Sequence, residues 1–173
     1  EEFVDYGVKS HHFLREILTG LSRGQKMIHP KFLYDKKGSE IFEKICDLPE
    51  YYPTRTENMI LQTNAEEIAE YIGEDVLLIE PGSGSGEKVR HLLRKMHSPA
   101  GYVPIEISRE ILLRMTEEIH EEFPGLKVTP VCADFTDDIQ LPLSVDNFPG
   151  KKKGLNFRIP KAHYTLGGEK TQM

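Results

Sequence analysis

Apolar and polar residues follow one another in two different rhythms along this chain. In residues 11–21 and 39–48 the apolar positions recur every three or four residues, which predicts two amphipathic helices. Thr54 and Glu57 form a capping-box pattern, which predicts that a third helix begins there. The first part of the chain, residues 1–73, is therefore expected to be a helical segment.

Short apolar runs then alternate with helical patterns. Strands are predicted at 76–80, 102–107 and 126–132, with a possible fourth at 143–148. Helical spacing of apolar residues separates the first three strands, and Ser108 is expected to cap the second of the intervening helices. This alternation is typical of an α/β fold whose parallel strands are joined by right-handed crossovers.

Charge divides the chain into an acidic body and a basic tail. The 173 residues carry a net charge of −6. Residues 1–148 have 16 basic and 27 acidic side chains, a net of −11, whereas 149–173 have six and one, a net of +5. An acidic body argues against nucleic acid as a partner. The tail has no periodic pattern, so we expect it to be irregular, and a phosphate-binding patch is the alternative.

Length and cysteine content narrow the class further. The chain has the length of one ordinary domain, and no apolar run approaches the roughly 20 residues that span a membrane. The N-terminus has no signal-peptide pattern, which favours a cytoplasmic protein. Cys46 and Cys132 have no metal-type spacing and are expected to be reduced, structural thiols, so no metal site is predicted.

The stretch EPGSGSGEK, residues 80–88, is the clearest candidate for a binding loop. It connects the first predicted strand of the body to its helix, and the carboxyl edge of a parallel sheet is where such folds bind nucleotides. The dinucleotide pattern GxGxxG fails, because Glu87 or Val89 stands where the last glycine is required. The Walker A pattern fails as well, because Lys88 follows Glu87 and precedes Val89. A ligand with an adenosine end and an amino-acid end, S-adenosylmethionine, fits the loop better than a diphosphate.

Two acidic residues at strand ends agree with that ligand. Glu106 ends the second predicted strand, 24 residues after Gly82, where a carboxylate can accept hydrogen bonds from ribose hydroxyls. Asp134 follows the third strand, beside Phe135, and this pair can bind an adenine amino group and cover its ring. NAD would also use an acid at the ribose, so the failed fingerprint, and not Glu106, argues against NAD.

Several segments together resemble one known family. The segment 32–57, FLYDKKGSEIFEKICDLPEYYPTRTE, is followed by EPGSGSGEK, YVPIEIS and CADF. These motifs are similar to those of the L-histidine Nα-methyltransferases of ergothioneine biosynthesis, which are class I S-adenosylmethionine-dependent methyltransferases. The resemblance covers roughly residues 13–145. It implies a Rossmann-like methyltransferase sheet over 74–148, and an enzyme that trimethylates the α-amino group of histidine to give hercynine.

The resemblance also implies roles for individual residues. The residues expected to bind the cofactor are Gly82, Ser83, Gly84, Lys88, Glu106, Asp134 and Phe135. Tyr51 is expected to face the substrate amine and to be the catalytic residue. Tyr34 and Asn156 are further substrate-binding candidates. Family members usually have Asp at the position of Glu106, so this chain has one extra methylene there.

The C-terminal part departs from the family pattern. NFPGKKKGLNF, at 147–157, keeps FPG and an Asn but has lysines and a different spacing in between. We expect the sheet to be incomplete in this chain, as in a fragment, a truncated relative or an incompletely represented chain. Two other functions therefore stay open. One is methylation of another primary amine, such as a tryptophan derivative, and the other is a non-catalytic nucleotide-binding module.

Overall fold

The computed structural model describes residues 3–6, 10–137, 139–141 and 156–157. The helices are α1 (Ser10–Leu21), α2 (Lys36–Cys46), α3 (Tyr52–Ile72), α4 (Glu87–Leu93) and α5 (Arg109–Glu122), with a 3₁₀ helix at Pro30–Leu33. The strands are β1 (Val4–Asp5), β2 (Leu77–Pro81), β3 (Gly101–Glu106), β4 (Val131–Cys132), β5 (Ile139–Gln140) and β6 (Asn156–Phe157). No helix within the described part has both the length and the apolar content needed to cross a membrane.

Four parallel strands form the main sheet, in the order β1-β4-β3-β2. β2 pairs with β3 along its whole length, from Leu77 opposite Gly101 to Pro81 opposite Ile105. The α/β class and the parallel sheet are thus as predicted, and β2 and β3 lie within one residue of their expected positions. Because all four strands run the same way, their carboxyl ends meet at one edge of the sheet.

The third predicted strand, 126–132, is shorter than expected. Only Val131–Cys132 forms a strand, while Val128 makes an isolated parallel bridge to Tyr102. Pro130 stands between them and has no N–H to donate, which interrupts the ladder. The sequence pattern did not indicate the pairing of Val4–Asp5 with this strand.

The core lies on both faces of β3, all of whose residues are buried. On one face Tyr102 packs with residues of α3, α4 and α5, among them Ala69, Val89 and Met115. On the other face Val103 packs in a cluster of Ile105, Val131, Ala133 and Ile139. Burial on both faces explains why this strand reads as a nearly continuous apolar run.

Two predicted helix starts differ in their capping. The capping box at Thr54 is wrong, because α3 begins at Tyr52 with Tyr51 as its N-cap, and no side chain caps it. The turn before α3 is instead stabilised by Arg55, which donates to the carbonyls of Leu48 and Pro49. Ser108 is the N-cap of α5 as predicted, yet its hydroxyl makes no capping hydrogen bond.

The predicted apolar faces of the N-terminal helices are only partly covered by the described residues. On α1, Leu14 is 63% exposed and Leu18 56%, whereas Ile17 is half-buried. On α2, Ile41 is 47% exposed. These helices have the predicted amphipathic periodicity, so the pattern identified the elements correctly without identifying what packs on them.

The predicted strand at 143–148 lies outside the described residues, as does most of the tail. Within 149–173 the structure describes only Asn156–Phe157, which pairs antiparallel with Ile139–Gln140. The sequence pattern did not predict this small second sheet.

Candidate functional site

The glycine loop, residues 82–86, turns at the carboxyl edge of the sheet. The amides of Gly82 and Ser83 donate to the carbonyl of Ile105, at 2.7 and 3.2 Å, which fixes the loop over the end of β3. Gly86 is the N-cap of α4 and has φ +69°, and a Cβ there would lie 2.6 Å from Cγ of Met115. Only glycine fits this position without strain, because it needs both a left-handed backbone and close approach to α5.

Glu106 lies beneath this loop and is hydrogen-bonded on both oxygens. Its Oε2 accepts from the amide of Gly84 at 3.1 Å. Its Oε1 accepts from the amides of Ile107 at 2.8 Å and Ser108 at 3.0 Å. The structure therefore brings Glu106 together with the loop, as the strand-end argument predicted.

Asp134 is held on both oxygens in a similar way. Its Oδ1 accepts from the amide and the hydroxyl of Thr136, at 2.9 and 2.6 Å, and its Oδ2 pairs with Nζ of Lys31 at 3.0 Å. Burial by itself raises the pKa of Asp134, but the hydrogen bonds from Thr136 and Lys31 outweigh it, so the pKa lies below its usual value. Asp134 is therefore a carboxylate at neutral pH, able to accept a hydrogen bond.

Phe135, beside Asp134, packs against the glycine loop. A Cβ at Gly82 would lie 3.3 Å from Cε1 of the Phe135 ring, so this ring is in close contact with the first residue of the loop. The predicted adenine pair, Asp134 and Phe135, thus lies at the same sheet edge as Gly82 and Glu106.

Lys31 is a residue of this edge that the sequence analysis missed. Its ammonium group bridges Asp134 and Glu16, which lies 3.1 Å away on α1. Burial by itself lowers the pKa of Lys31, but the hydrogen bonds and charges of the two carboxylates raise it overall. A single lysine in the mixed stretch HPKFLYD gives no periodic signal, and Asp134 lies about a hundred residues away in sequence, so the sequence could not have revealed the pairing.

Among the predicted cofactor-binding residues, Lys88 is the one whose contacts least directly support a role in binding the cofactor. It lies on α4, and its Nζ contacts the Glu57 carboxylate of α3 at 2.6 Å. The neighbouring Glu87 accepts from Asn58 at 2.8 Å. Both contacts link α4 to α3, so in this structure Lys88 joins two helices at the rim of the loop.

Glu80, the last residue before Pro81 and the loop, was also missed. It accepts a short hydrogen bond from the buried hydroxyl of Tyr102. Burial raises the pKa of Glu80, although the hydrogen bond from Tyr102 and the charge of Lys88 oppose that rise. The sequence signal that could have identified Glu80 is its position as a charged residue at the end of an apolar run.

The two tyrosines predicted to face the substrate lie in one aromatic cluster. The ring of Phe42 makes edge contacts with Tyr34, at 5.9 Å between centroids, and with Tyr51, at 6.0 Å. Burial raises the pKa of Tyr34, with smaller contributions from Tyr51 and from the charge of Glu106. Tyr34 and Tyr51 therefore share one aromatic neighbour, Phe42. The side chain of Asn156 lies outside the described residues.

A cleft of about 470 Å³ opens beside the ends of β1, β3 and β4. Its lining includes Lys31, Tyr34, Ser108 and Cys132. Burial, together with the charge of Asp5, raises the pKa of Cys132 to about 11, so this thiol is protonated and unreactive. The lining of the cleft also includes Ile107, which directly follows Glu106 in the chain.

Two buried hydroxyls provide a test of whether a polar ligand fits. The Oγ atoms of Ser83, in the loop, and Ser108, in the cleft, have no hydrogen-bond partner among the described residues. Both serines are more than nine-tenths buried, and burying a polar group without a partner is costly. Hydroxyls, a carboxylate pair and an aromatic face suit the adenosine and amino-acid ends of S-adenosylmethionine. Within the described part of the chain no cluster of residues suits a metal ion.

A parallel α/β sheet with a glycine loop and strand-end carboxylates at its carboxyl edge defines the class of fold, which is Rossmann-like. The chain belongs to the family of histidine-specific, S-adenosylmethionine-dependent methyltransferases, whose model matches residues 13–162. The resemblance stated from the motifs is thereby confirmed.

Individual relatives agree with this assignment. A histidine N-alpha-methyltransferase of Mycolicibacterium smegmatis is 39% identical over 128 residues, which cover 72% of this chain and 40% of the relative. Ergothioneine biosynthesis protein 1 of Neurospora crassa is 34% identical over 112 residues, covering 61% of this chain and 13% of that protein. The chain thus spans well under half the length of these relatives.

One solved structure overlaps part of this chain. A putative S-adenosyl-L-methionine-dependent methyltransferase of Methanococcus maripaludis covers 68% of this chain and 48% of its own, with 18% identity and a TM-score of 0.42. The overlap is partial, and the family assignment does not depend on it.

Proposed function

We propose that this chain supplies the cofactor-binding part of an enzyme that transfers methyl groups from S-adenosylmethionine to the α-amino group of histidine, giving hercynine. The observation that carries the proposal is the match of residues 13–162 to a histidine-specific family model. The geometry supports it, because the glycine loop, Glu106 and Asp134 meet at one edge of the sheet.

In this proposal each part of the edge has a distinct role toward the cofactor. Glu106 accepts from the ribose, Asp134 accepts from the adenine amino group, and Phe135 covers the adenine ring. Gly82, Ser83, Gly84 and Lys88 bind the amino-acid end. The buried hydroxyl of Ser83 gains the hydrogen-bond partner that the described residues do not provide. When bound, the cofactor supplies an electrophilic methyl group on a sulfonium.

The aromatic cluster has the substrate role. Tyr51 orients the amine of histidine, Tyr34 lies beside it, and Asn156 contributes from the C-terminal part. Methyl transfer is an in-line displacement, so the protein's contribution is mainly to position the amine and to exclude water. Phe42 makes an edge contact with each of the two tyrosine rings, and these contacts restrict the orientation of the rings.

Some further features belong to the same proposal. The proposed organisation is a helical segment, 1–73, a Rossmann-like S-adenosylmethionine-binding domain, 74–148, and a basic tail, 149–173. The partner is a small amino acid, with neither nucleic acid nor a membrane involved. Two free cysteines agree with a reducing, cytoplasmic location.

The alternatives are less well supported. A tryptophan-derived amine as substrate is disfavoured, because the matching family model is histidine-specific and the Mycolicibacterium relative is a histidine enzyme. A non-catalytic nucleotide-binding module is disfavoured, because the matching family is one of S-adenosylmethionine-dependent methyltransferases.

The experiment uses mass spectrometry of histidine and tryptophan incubated together with S-adenosylmethionine. Two proteins are compared: this chain, and this chain joined to the C-terminal part of the Mycolicibacterium enzyme. We expect trimethylated histidine from the joined protein and a negligible amount from the chain alone. The C-terminal part is expected to help orient the amine, and proximity and orientation can contribute about 7–11 kcal/mol to catalysis.

Tyr51→Phe in the joined protein should reduce the rate strongly, and Tyr71→Phe should not, since Tyr71 is 85% exposed and lies at the end of α3. A folded joined protein that methylates tryptophan but not histidine would contradict the substrate assignment. Equal rates for the two tyrosine variants would contradict the role of Tyr51.

A further inference from the structure

The carboxylate of Glu106 joins two segments of backbone that are separate in sequence. Oε2 accepts from the amide of Gly84 in the glycine loop, and Oε1 accepts from Ile107 and Ser108 at the start of α5. Glu106 is 8% exposed, so its carboxylate is largely shielded from bulk water, and the three bonds are buried or partly buried. Hydrogen bonds to an ionised acceptor are stronger than those between neutral groups.

The length of this side chain makes the double contact feasible. An aspartate at the same position would be shorter by one carbon–carbon bond, about 1.5 Å. The contact of Oε2 with Gly84 is already 3.1 Å, so a carboxylate withdrawn by that distance would leave hydrogen-bond range unless the backbone moved. The amides of Ile107 and Ser108 are adjacent to residue 106 in sequence and stay within reach of a shorter side chain.

The same bonds limit what the carboxylate can offer to a ligand. An ionised carboxylate has about four acceptor positions, two on each oxygen. Among the described residues, two donors occupy Oε1 and one occupies Oε2. One acceptor position remains, on the oxygen that faces the glycine loop.

We propose that Glu106 is a positioning residue for the glycine loop, and that it therefore accepts from one ribose hydroxyl of the cofactor and not from both. The first part concerns the loop alone. The second part rests on the proposed function, because it requires an adenosyl ligand at this edge. The extra methylene of Glu106 thus allows the carboxylate to hold the loop in place before the ligand arrives.

The first test measures hydrogen exchange of the Gly84 amide by NMR in the full chain. In the wild type this amide should exchange more slowly than that of Gly125, which lies in an exposed turn. In Glu106→Asp the Gly84 exchange should become at least tenfold faster. Glu117→Asp, an exposed position on α5, is the matched control and should change nothing at Gly84. The comparison of Gly84 with Gly125 needs no variant, so it applies even if Glu106→Asp does not fold.

The second test uses calorimetry with S-adenosylhomocysteine and its 2′-deoxy and 3′-deoxy analogues. We expect one analogue to bind within about twofold of the parent and the other at least tenfold more weakly. Equal effects of the two deletions would overturn the single-acceptor inference, and unprotected Gly84 in the wild type would overturn the positioning role. If Gly84 is protected but S-adenosylhomocysteine does not bind, the cofactor assignment fails while the positioning role is supported.

Discussion

The ion pair between Lys31 and Asp134 gives a quantitative prediction about stability. Lys31→Met removes the only side-chain cation that the structure places on Asp134 among the described residues, and leaves that carboxylate beside Glu16. The side chains of Lys31 and Asp134 are 19% and 12% exposed, so the pair is largely shielded from water. Hydrogen bonds to charged groups contribute about 1.5–3 kcal/mol. Thr136 still satisfies Oδ1, so we expect a loss of about 1–3 kcal/mol at pH 7.

Lys95→Met is the matched control. Lys95 pairs with Glu66 at 3.1 Å, nearly the same separation, but the two side chains are 47% and 74% exposed. Exposed pairs typically contribute about 0–1 kcal/mol. The assay is urea unfolding followed by circular dichroism, with both variants measured beside the wild type. Equal losses for Lys31→Met and Lys95→Met would refute the argument from burial.

The pH dependence of the Lys31 effect supplies a second check. The folded-state pKa of Asp134 is lowered, so its stabilisation is fully present above the unfolded pKa, near 4, and is lost as the pH falls through the folded value. The difference between the wild type and Lys31→Met should therefore be constant from pH 5 to 8 and should narrow below about pH 4. The folded-state pKa of Lys31 is raised, so no loss from its deprotonation is expected below about pH 10. A difference that stays the same down to pH 2 would show that the ion pair is not its source.

Two further predictions concern the glycine loop and the strand-end carboxylate. Asp134→Ala should weaken S-adenosylhomocysteine binding by about 1–3 kcal/mol. Cys132→Ala should lower stability and leave the affinity for S-adenosylhomocysteine nearly unchanged at matched folded fractions. Equal affinities of the two variants in calorimetry would refute the assignment of Asp134 to the cofactor. Gly86→Ala should destabilise the fold by at least about 1 kcal/mol, because φ at Gly86 is +69° and the new Cβ would lie 2.6 Å from Met115. Gly125→Ala is the control: Gly125 has open space around it, so this variant should lose less stability in the same urea assay.

The elements that could be predicted from sequence are those with a strong local pattern. β2 and β3 are nearly continuous apolar runs, with β3 buried and β2 partly buried, and α5 has its apolar residues at helical spacing, so each was located closely. β1 has two residues and is defined only by its pairing with β4, about 127 positions away in sequence, so no local pattern could indicate it. The start of α3 was misplaced because a capping-box pattern at Thr54 is a weak signal, and the Arg55 contacts fix the turn instead.

The candidate site divides in the same way. That Gly82, Glu106 and Asp134 lie at one edge of the sheet could be predicted, because the carboxyl ends of parallel strands meet there. The partners of these residues could not, since Lys31 reaches Asp134 from a distant 3₁₀ helix and Gly84 reaches Glu106 from the loop. Such contacts depend on how the helical segment and the sheet pack together. That packing produces no periodic pattern in the sequence.

The central claim is that the loop at residues 82–86 binds an S-adenosyl ligand. The most direct test is calorimetric titration of the folded chain with S-adenosylhomocysteine and, separately, with NAD. We predict saturable binding of S-adenosylhomocysteine that Asp134→Ala weakens, and no measurable binding of NAD at the same concentrations. Binding of NAD without binding of S-adenosylhomocysteine would contradict the account.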